Sequence, residues 1–171
     1  MGRLYFYEYL PARAEVVVGL LQSDPALVAG ATEQARGRAE AMAGRLSFSI
    51  GRLEVAKQVK VSVGEMLLEP GAARFPIQWK AKSGTWFFPR MQAMLEVLAL
   101  SDSPEECQLS LVGEYTPPLG TFGAITDLLL MHQVAEASVC AFVQGLKARL
   151  EQAIALQVLA TSEAEAPSAG I

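Results

Sequence analysis

From Thr121 to about Ala155 the apolar positions of this chain recur at alternating steps of three and four: Leu128, Met131, Ala135, Val139, Phe142, Leu146, Leu150 and Ala153. That is the helical repeat of about 3.6 residues per turn, and it gathers all of them on one stripe. Asp127, Gln133, Glu136, Gln144, Lys147, Arg149 and Glu151 fill most of the remaining surface. A helix this long and this apolar on one side cannot stand alone. The residues before it predict its cover.

Leu4 to Leu10, rich in Tyr, Phe and Leu, reads as a first strand stopped by Pro11. Ala14 to Gln22 reads as a short helix. Ser23-Asp24-Pro25 breaks the pattern, with Asp24 as cap and Pro25 as first residue of a helix running from Ala26 to about Gly44. Leu27, Val28, Ala31, Ala35, Ala39 and Met42 give that helix a shallow apolar face, suited to lie across the outside or mouth of a sheet. The period then changes to two. Leu46, Phe48 and Ile50 alternate with serines, and Gly51 invites a turn; Arg45 to Leu68 reads as two strands or one long bent one. Val59, Val61 and Val63 alternate, as do Ile77, Trp79 and Ala81, then Met91, Ala93, Leu95, Val97 and Ala99, then Leu109, Leu111 and Tyr115. Glu69-Pro70-Gly71 and Ser83-Gly84 are turns, and Ser101 to Glu106 is a polar loop. Pro117-Pro118 ends the sheet, and Gly120 and Gly123 bend the chain into the long helix.

Alternation of this kind marks antiparallel strands with one face in and one face wet. The expected class is α+β: a curved antiparallel sheet of about six strands wrapped around a long C-terminal helix, with two short helices after the first strand. One domain spans 1–160, and the small, polar tail 161–171 is expected to be disordered.

Composition narrows the function classes. Of 171 residues 51% are hydrophobic and 19% charged, and the net charge of −4 comes with no basic stripe, so nothing points to nucleic acid. Cys107 and Cys140 follow no metal spacing and read as buried thiols of a reducing, cytoplasmic protein. No run is long enough to span a bilayer. The start carries Arg3 and Glu8 within its apolar stretch, unlike a signal peptide, and Phe6 breaks the Met-Gly myristoylation pattern. The glycines read as turn punctuation.

Element order and several phrases make the chain resemble the START-like superfamily, also called SRPBCC or helix-grip proteins. The phrases are EYLPARAEVVVGLLQSDP, FPIQWKA, FFPRMQAMLEV and the run from LVGEYTPPLG into the final helix with its HxVA phrase. The likeness covers Leu4 to about Leu150; the superfamily includes polyketide cyclase/dehydrase and lipid-transfer proteins, and the YTPPLG segment with the HxVA helix looks like an uncharacterised bacterial branch of it. It implies an apolar ligand held between sheet and long helix. It brings no metal, cofactor or nucleophile motif.

The residues that would line such a space are Trp79, Ala93, Leu95, Leu111, Tyr115, Leu128, Met131, His132, Ala135 and Val139. Ala93 and Ala135 are small and leave room; Trp79 either lines a pocket or fills it. His132, the sole histidine, is a proton donor into the cavity or a locally satisfied boundary residue. Asp127 does not share its helical face, so no carboxylate partner is identified. Tyr115 offers its hydroxyl at the cavity rim or is a core residue. Glu105-Glu106 reads as a solvated loop tip, and Lys57, Lys60, Lys80 and Lys82 as outer-face solubility. Three functions follow: carriage of a hydrophobic small molecule, a cyclase/dehydratase using His132 and Tyr115, or a homodimer through the outer face, where Val112, Met94 and Leu98 interrupt the polar register.

Overall fold

The computed structural model describes residues 2–50, 59–81, 90–116 and 125–165. Among them are strands β1 (Gly2–Leu10), β2 (Val59–Val63), β3 (Leu67–Glu69), β4 (Ala72–Ala81), β5 (Arg90–Ala99) and β6 (Cys107–Thr116), and helices α1 (Ala14–Ser23), α2 (Pro25–Ile50) and α3 (Ile125–Glu165). The strands make one antiparallel sheet in the order β1-β6-β5-β4-β2, with β3 also paired to β4. This is the α+β helix-grip architecture that the alternation predicts.

Period-two patterning sets the inner face. Ala73, Phe75, Ile77 and Trp79 of β4, Met91, Leu95 and Val97 of β5, and Cys107, Leu109, Leu111 and Tyr115 of β6 are all buried. Against them stand Ala135, Val139, Phe142, Leu146 and Leu150 of α3, buried as the stripe predicts. The two surfaces meet where the Trp79 and Phe142 rings pack edge to face, centroids 5.2 Å apart. Ser138 and Val143 are buried on an adjoining side of α3, which packs along α2 as well as on the sheet.

Local signals hold where they are strong. Asp24 Oδ1 accepts the Ala26 N–H at 2.9 Å, and Pro25 opens α2, as its fixed φ favours. Pro70-Gly71 joins β3 to β4, with Gly71 at φ 76° as a type II turn requires. The loop before β6 is tethered: Arg13 forms a bidentate pair with Glu105, which holds the Glu105 carboxyl below its ordinary pKa. Glu105 is thus a paired residue rather than only a solvated tip.

Four expectations are corrected. Leu46, Phe48 and Ile50 belong to α2, not to a strand. Met42, Leu46 and Ile50 are also four apart, so they continue the stripe of Val28, Ala31, Ala35 and Ala39; three alternating letters fit both periods, and the established helix prevails. α2 also runs on past the expected end near Gly44, to Ile50. The final helix runs to Glu165, so 161–165 are helical, while 166–171 lie outside the described residues. Glycines do more than punctuate turns. A Cβ on Gly145 would strike Gln34, one on Gly30 would strike the Arg149 guanidinium, and one on Gly113 would meet Ala93 Cβ at 2.7 Å and the Gln92 carbonyl at 2.8 Å. These positions mark close approach of α2 to α3 and of β5 to β6. The turn residues Gly51, Ser83, Gly84, Pro117, Pro118, Gly120 and Gly123 lie outside the described residues.

Among the described residues no single helix is long and apolar enough to cross a membrane.

Candidate functional site

Strand register brings many of the sequence-predicted residues together. Leu95 pairs with Leu111, Tyr115 with Met91, and Met91 with Trp79, while Ala93 lies between Ile77 and Gly113. Trp79, Leu95, Leu111, Tyr115, Ala135 and Val139 are at most 5% exposed, and Ala93 and His132 are half-buried. These residues face one another in the middle of the interior, screened from solvent. Leu128 and Met131 are on α3, and their side chains lie outside the described residues.

Two polar features interrupt the apolar interior. The first is the Trp79 indole, whose Nε1 is buried with no hydrogen-bond partner among the described residues. A buried donor left unpaired costs roughly 1–3 kcal/mol. The second is a chain of three groups on the β6 side. The Tyr115 hydroxyl lies 3.0 Å from His132 Nδ1, and the two rings stack with centroids 5.7 Å apart. His132 Nε2 lies 3.0 Å from Glu136 Oε1. A neutral imidazole carries one N–H. Placed on Nε2 it donates to the carboxylate, leaving Nδ1 to accept from the Tyr115 O–H. Burial, and then the nearby Glu136 charge, raise the Tyr115 pKa, so the phenol stays protonated and acts as a donor. Gly2 stands opposite Tyr115 on β1, and its missing Cβ leaves the space that the phenol ring occupies.

Glu136 is the partner that the sequence reading missed. The signal was present: it follows His132 by four residues, one helical turn, on the same face. Attention to Asp127, which precedes His132, looked in the wrong direction along the helix.

A pocket of about 630 Å³ opens on the other flank of the sheet, between α1–α2 and the β2–β4 end. Leu21, Val28, Phe75, Met66 and Val63 supply its apolar walls, and Pro25 and Ala29 its rim. Its polar neighbours are already engaged. Thr32 Oγ1 donates to the Val28 carbonyl at 2.8 Å, Arg36 pairs with Glu33 at 2.7 Å, and the Gln22 amide meets Met66 Sδ at 3.3 Å. None of the ten sequence-predicted residues lines this pocket. Its position follows from α2, whose length was misread, and from Phe75, two residues before Ile77 on the inward register.

No protein-family model matches the chain, and no curated protein matches it in sequence. Solved structures similar to it include the following three. A hypothetical protein from Helicobacter pylori has 12% identity and a TM-score of 0.46, covering 86% of this chain and 87% of that one. A conserved protein from Geobacillus kaustophilus has 12% identity and a TM-score of 0.46, covering 86% and 94%. The Zhui aromatase/cyclase from Streptomyces sp. R1128 has 14% identity and a TM-score of 0.40, covering 90% and 95%.

Proposed function

We propose that this chain is a helix-grip protein of the START-like kind that binds an apolar small molecule, and that the pocket between α1–α2 and the β2–β4 end receives it. The observation that carries this reading is a half-open, apolar-walled space of about 630 Å³ whose polar neighbours are satisfied among themselves. Small-molecule sites have volumes of roughly 300–1,000 Å³ and apolar walls. With few polar groups to offer, recognition rests on burial, at about 25 cal/mol per Å² of apolar area. A lipid-like or fused-ring hydrocarbon surface fits that chemistry; a sugar or nucleotide does not.

The test is a titration with a dansyl-labelled fatty acid. Wild type binds saturably at one site, and Ala29→Trp, which fills the mouth from an exposed rim position, weakens binding at least about tenfold. Binding that Ala29→Trp leaves unchanged places the ligand elsewhere. Native mass spectrometry of protein from its own host is the complementary measurement: a retained apolar compound supports the reading.

One observation favours a second reading. Tyr115, His132 and Glu136 form a phenol–imidazole–carboxylate chain, which is suited to deliver a proton from Tyr115 and recover it through His132, as cyclase or dehydratase chemistry requires. In that case turnover of an apolar carbonyl substrate shows a pH profile that His132→Ala alters. A profile unmoved by that change removes His132 from the chemistry.

A further inference from the structure

We propose that one end of the molecule, where the β3–β4 hairpin and the last turns of α3 project, docks on a zwitterionic lipid surface. Strand register places that end. Gly71, in the β3–β4 turn, accepts the Ala99 N–H at 2.9 Å; Ala99 stands opposite Cys107, and Cys107 opposite Leu10. α3 runs toward the same end. Its His132 meets Tyr115, which stands opposite Gly2 at the start of β1. Its Lys147 meets Glu8, near the end of β1, at 3.1 Å. From Leu150, which is fully buried, α3 continues to Glu165, roughly 22 Å further. The helix therefore overhangs the sheet, and residues 155–162 are exposed.

Both projections are apolar, and each is apolar on two sides. Leu67 and Leu68 are 51% and 69% exposed; Leu156, Val158 and Leu159 are 60%, 63% and 60% exposed. Neighbouring residues of a strand point to opposite faces, so Leu67 and Leu68 diverge. At about 100° per residue, Val158 lies about 200° round the helix from Leu156. A flat protein surface, a second copy's included, covers one side of a hairpin or helix. An apolar fluid surrounds both sides, and that selects lipid as the occupant.

Charge selects which lipid. The cations of this end are committed: Arg13 to Glu105, Arg74 to Glu69 at 2.6 Å and Glu96 at 2.8 Å, and Lys147 to Glu8, while Arg149 lies over Gly30 of α2. Glu65, Asp102, Glu106 and Glu151 are exposed nearby. Lys60 and Lys80 stand opposite each other in the register at the far end of β4. Anionic lipid is held by clustered cations beside the apolar element, and the balance at this end is the reverse. A headgroup without net charge does not repel these carboxylates, so attachment rests on apolar burial.

Flotation of the full chain with phosphatidylcholine vesicles, without added ligand, tests this. The chain floats with the vesicles, and raising the salt leaves the bound fraction unchanged. Leu67→Ser, Leu68→Ser, Leu156→Ser and Val158→Ser each weaken partitioning at least about threefold, and all four together at least about thirtyfold. The circular-dichroism melt stays in place, because all four positions are exposed. Val112→Ser, on the outer face of the sheet, leaves flotation unchanged. Leu68→Trp and Val158→Trp keep the apolar character, and both new indoles are quenched by bromine-labelled phosphatidylcholine. Absence of flotation overturns the proposal. So does flotation that requires anionic lipid, or that responds to only one residue of each pair, the mark of a one-sided partner. Dimerisation in sedimentation equilibrium that the serine changes abolish gives this end to a second copy and overturns it too. None of the four residues lines the α1–α2 pocket, so a dansyl-fatty-acid titration without vesicles is unmoved by them and the two readings fail separately.

Discussion

The two ends of the interior differ in how α-helix and sheet meet. Around Trp79 and Phe142, α3 covers the sheet, lying closest to β1 and β6 and touching β4 through the Trp79–Phe142 ring pair, and the side chains there are almost wholly screened from solvent. At the α1–α2 end, helices of smaller residues approach β2 and β4 at the sheet's flank and leave about 630 Å³ open. The difference lies in what each helix brings. The α3 stripe carries Phe142, Leu146 and Leu150, whereas at the pocket α2 presents Val28, Ala29 and Thr32. One helix fills the cup and the other props it open.

The sharpest way to break that contrast is to open the filled end. Phe142→Ala should cost about 3–5 kcal/mol in urea unfolding, as fully buried aromatics do. Next is a pH effect at the same packed region. Burial pushes the Cys107 thiol from its ordinary 9.0 up to about 11. The folded state therefore holds its proton longer than the unfolded one. The full contribution is present below pH 9 and is lost as pH rises through 11, an effect of about 3 kcal/mol. Cys107→Ala should flatten that slope in chemical denaturation at a series of pH values. Gly113→Ala, which drives a Cβ into Ala93 and the Gln92 carbonyl, should cost roughly 1–3 kcal/mol by thermal melting. Trp79→Phe loses volume but also removes a buried donor unpaired among the described residues, so its stability should stay within about 1 kcal/mol of wild type. At the open end Ala29→Trp should change stability by less than about 0.5 kcal/mol, because that rim position is exposed.

The packed end was legible in the sequence and the open end was not. Alternation in Ile77, Trp79, Leu95, Leu111 and Tyr115 and the three-four spacing of α3 report long, regular surfaces, and those are where the core formed. Leu46, Phe48 and Ile50 satisfied two periods at once, and only the cooperativity of the preceding helix decided between them. The pocket depends on what is missing between elements distant in sequence, which no local pattern records. Glu136 was readable from helical spacing alone, but Gly30, Gly113 and Gly145 acquire meaning only from the backbone that crosses each of them.

Among the described residues the backbone of β1 pairs only with β6, along its whole length from Gly2 opposite Tyr115 to Leu10 opposite Cys107. During synthesis the first strand leaves the ribosome about a hundred residues before that partner exists, a wait of roughly 5–20 seconds at ordinary translation speeds. Through that interval the tyrosine-rich leader is an unpaired, sticky ribbon, and a holding chaperone or a nascent neighbour has its best chance to capture the protein there.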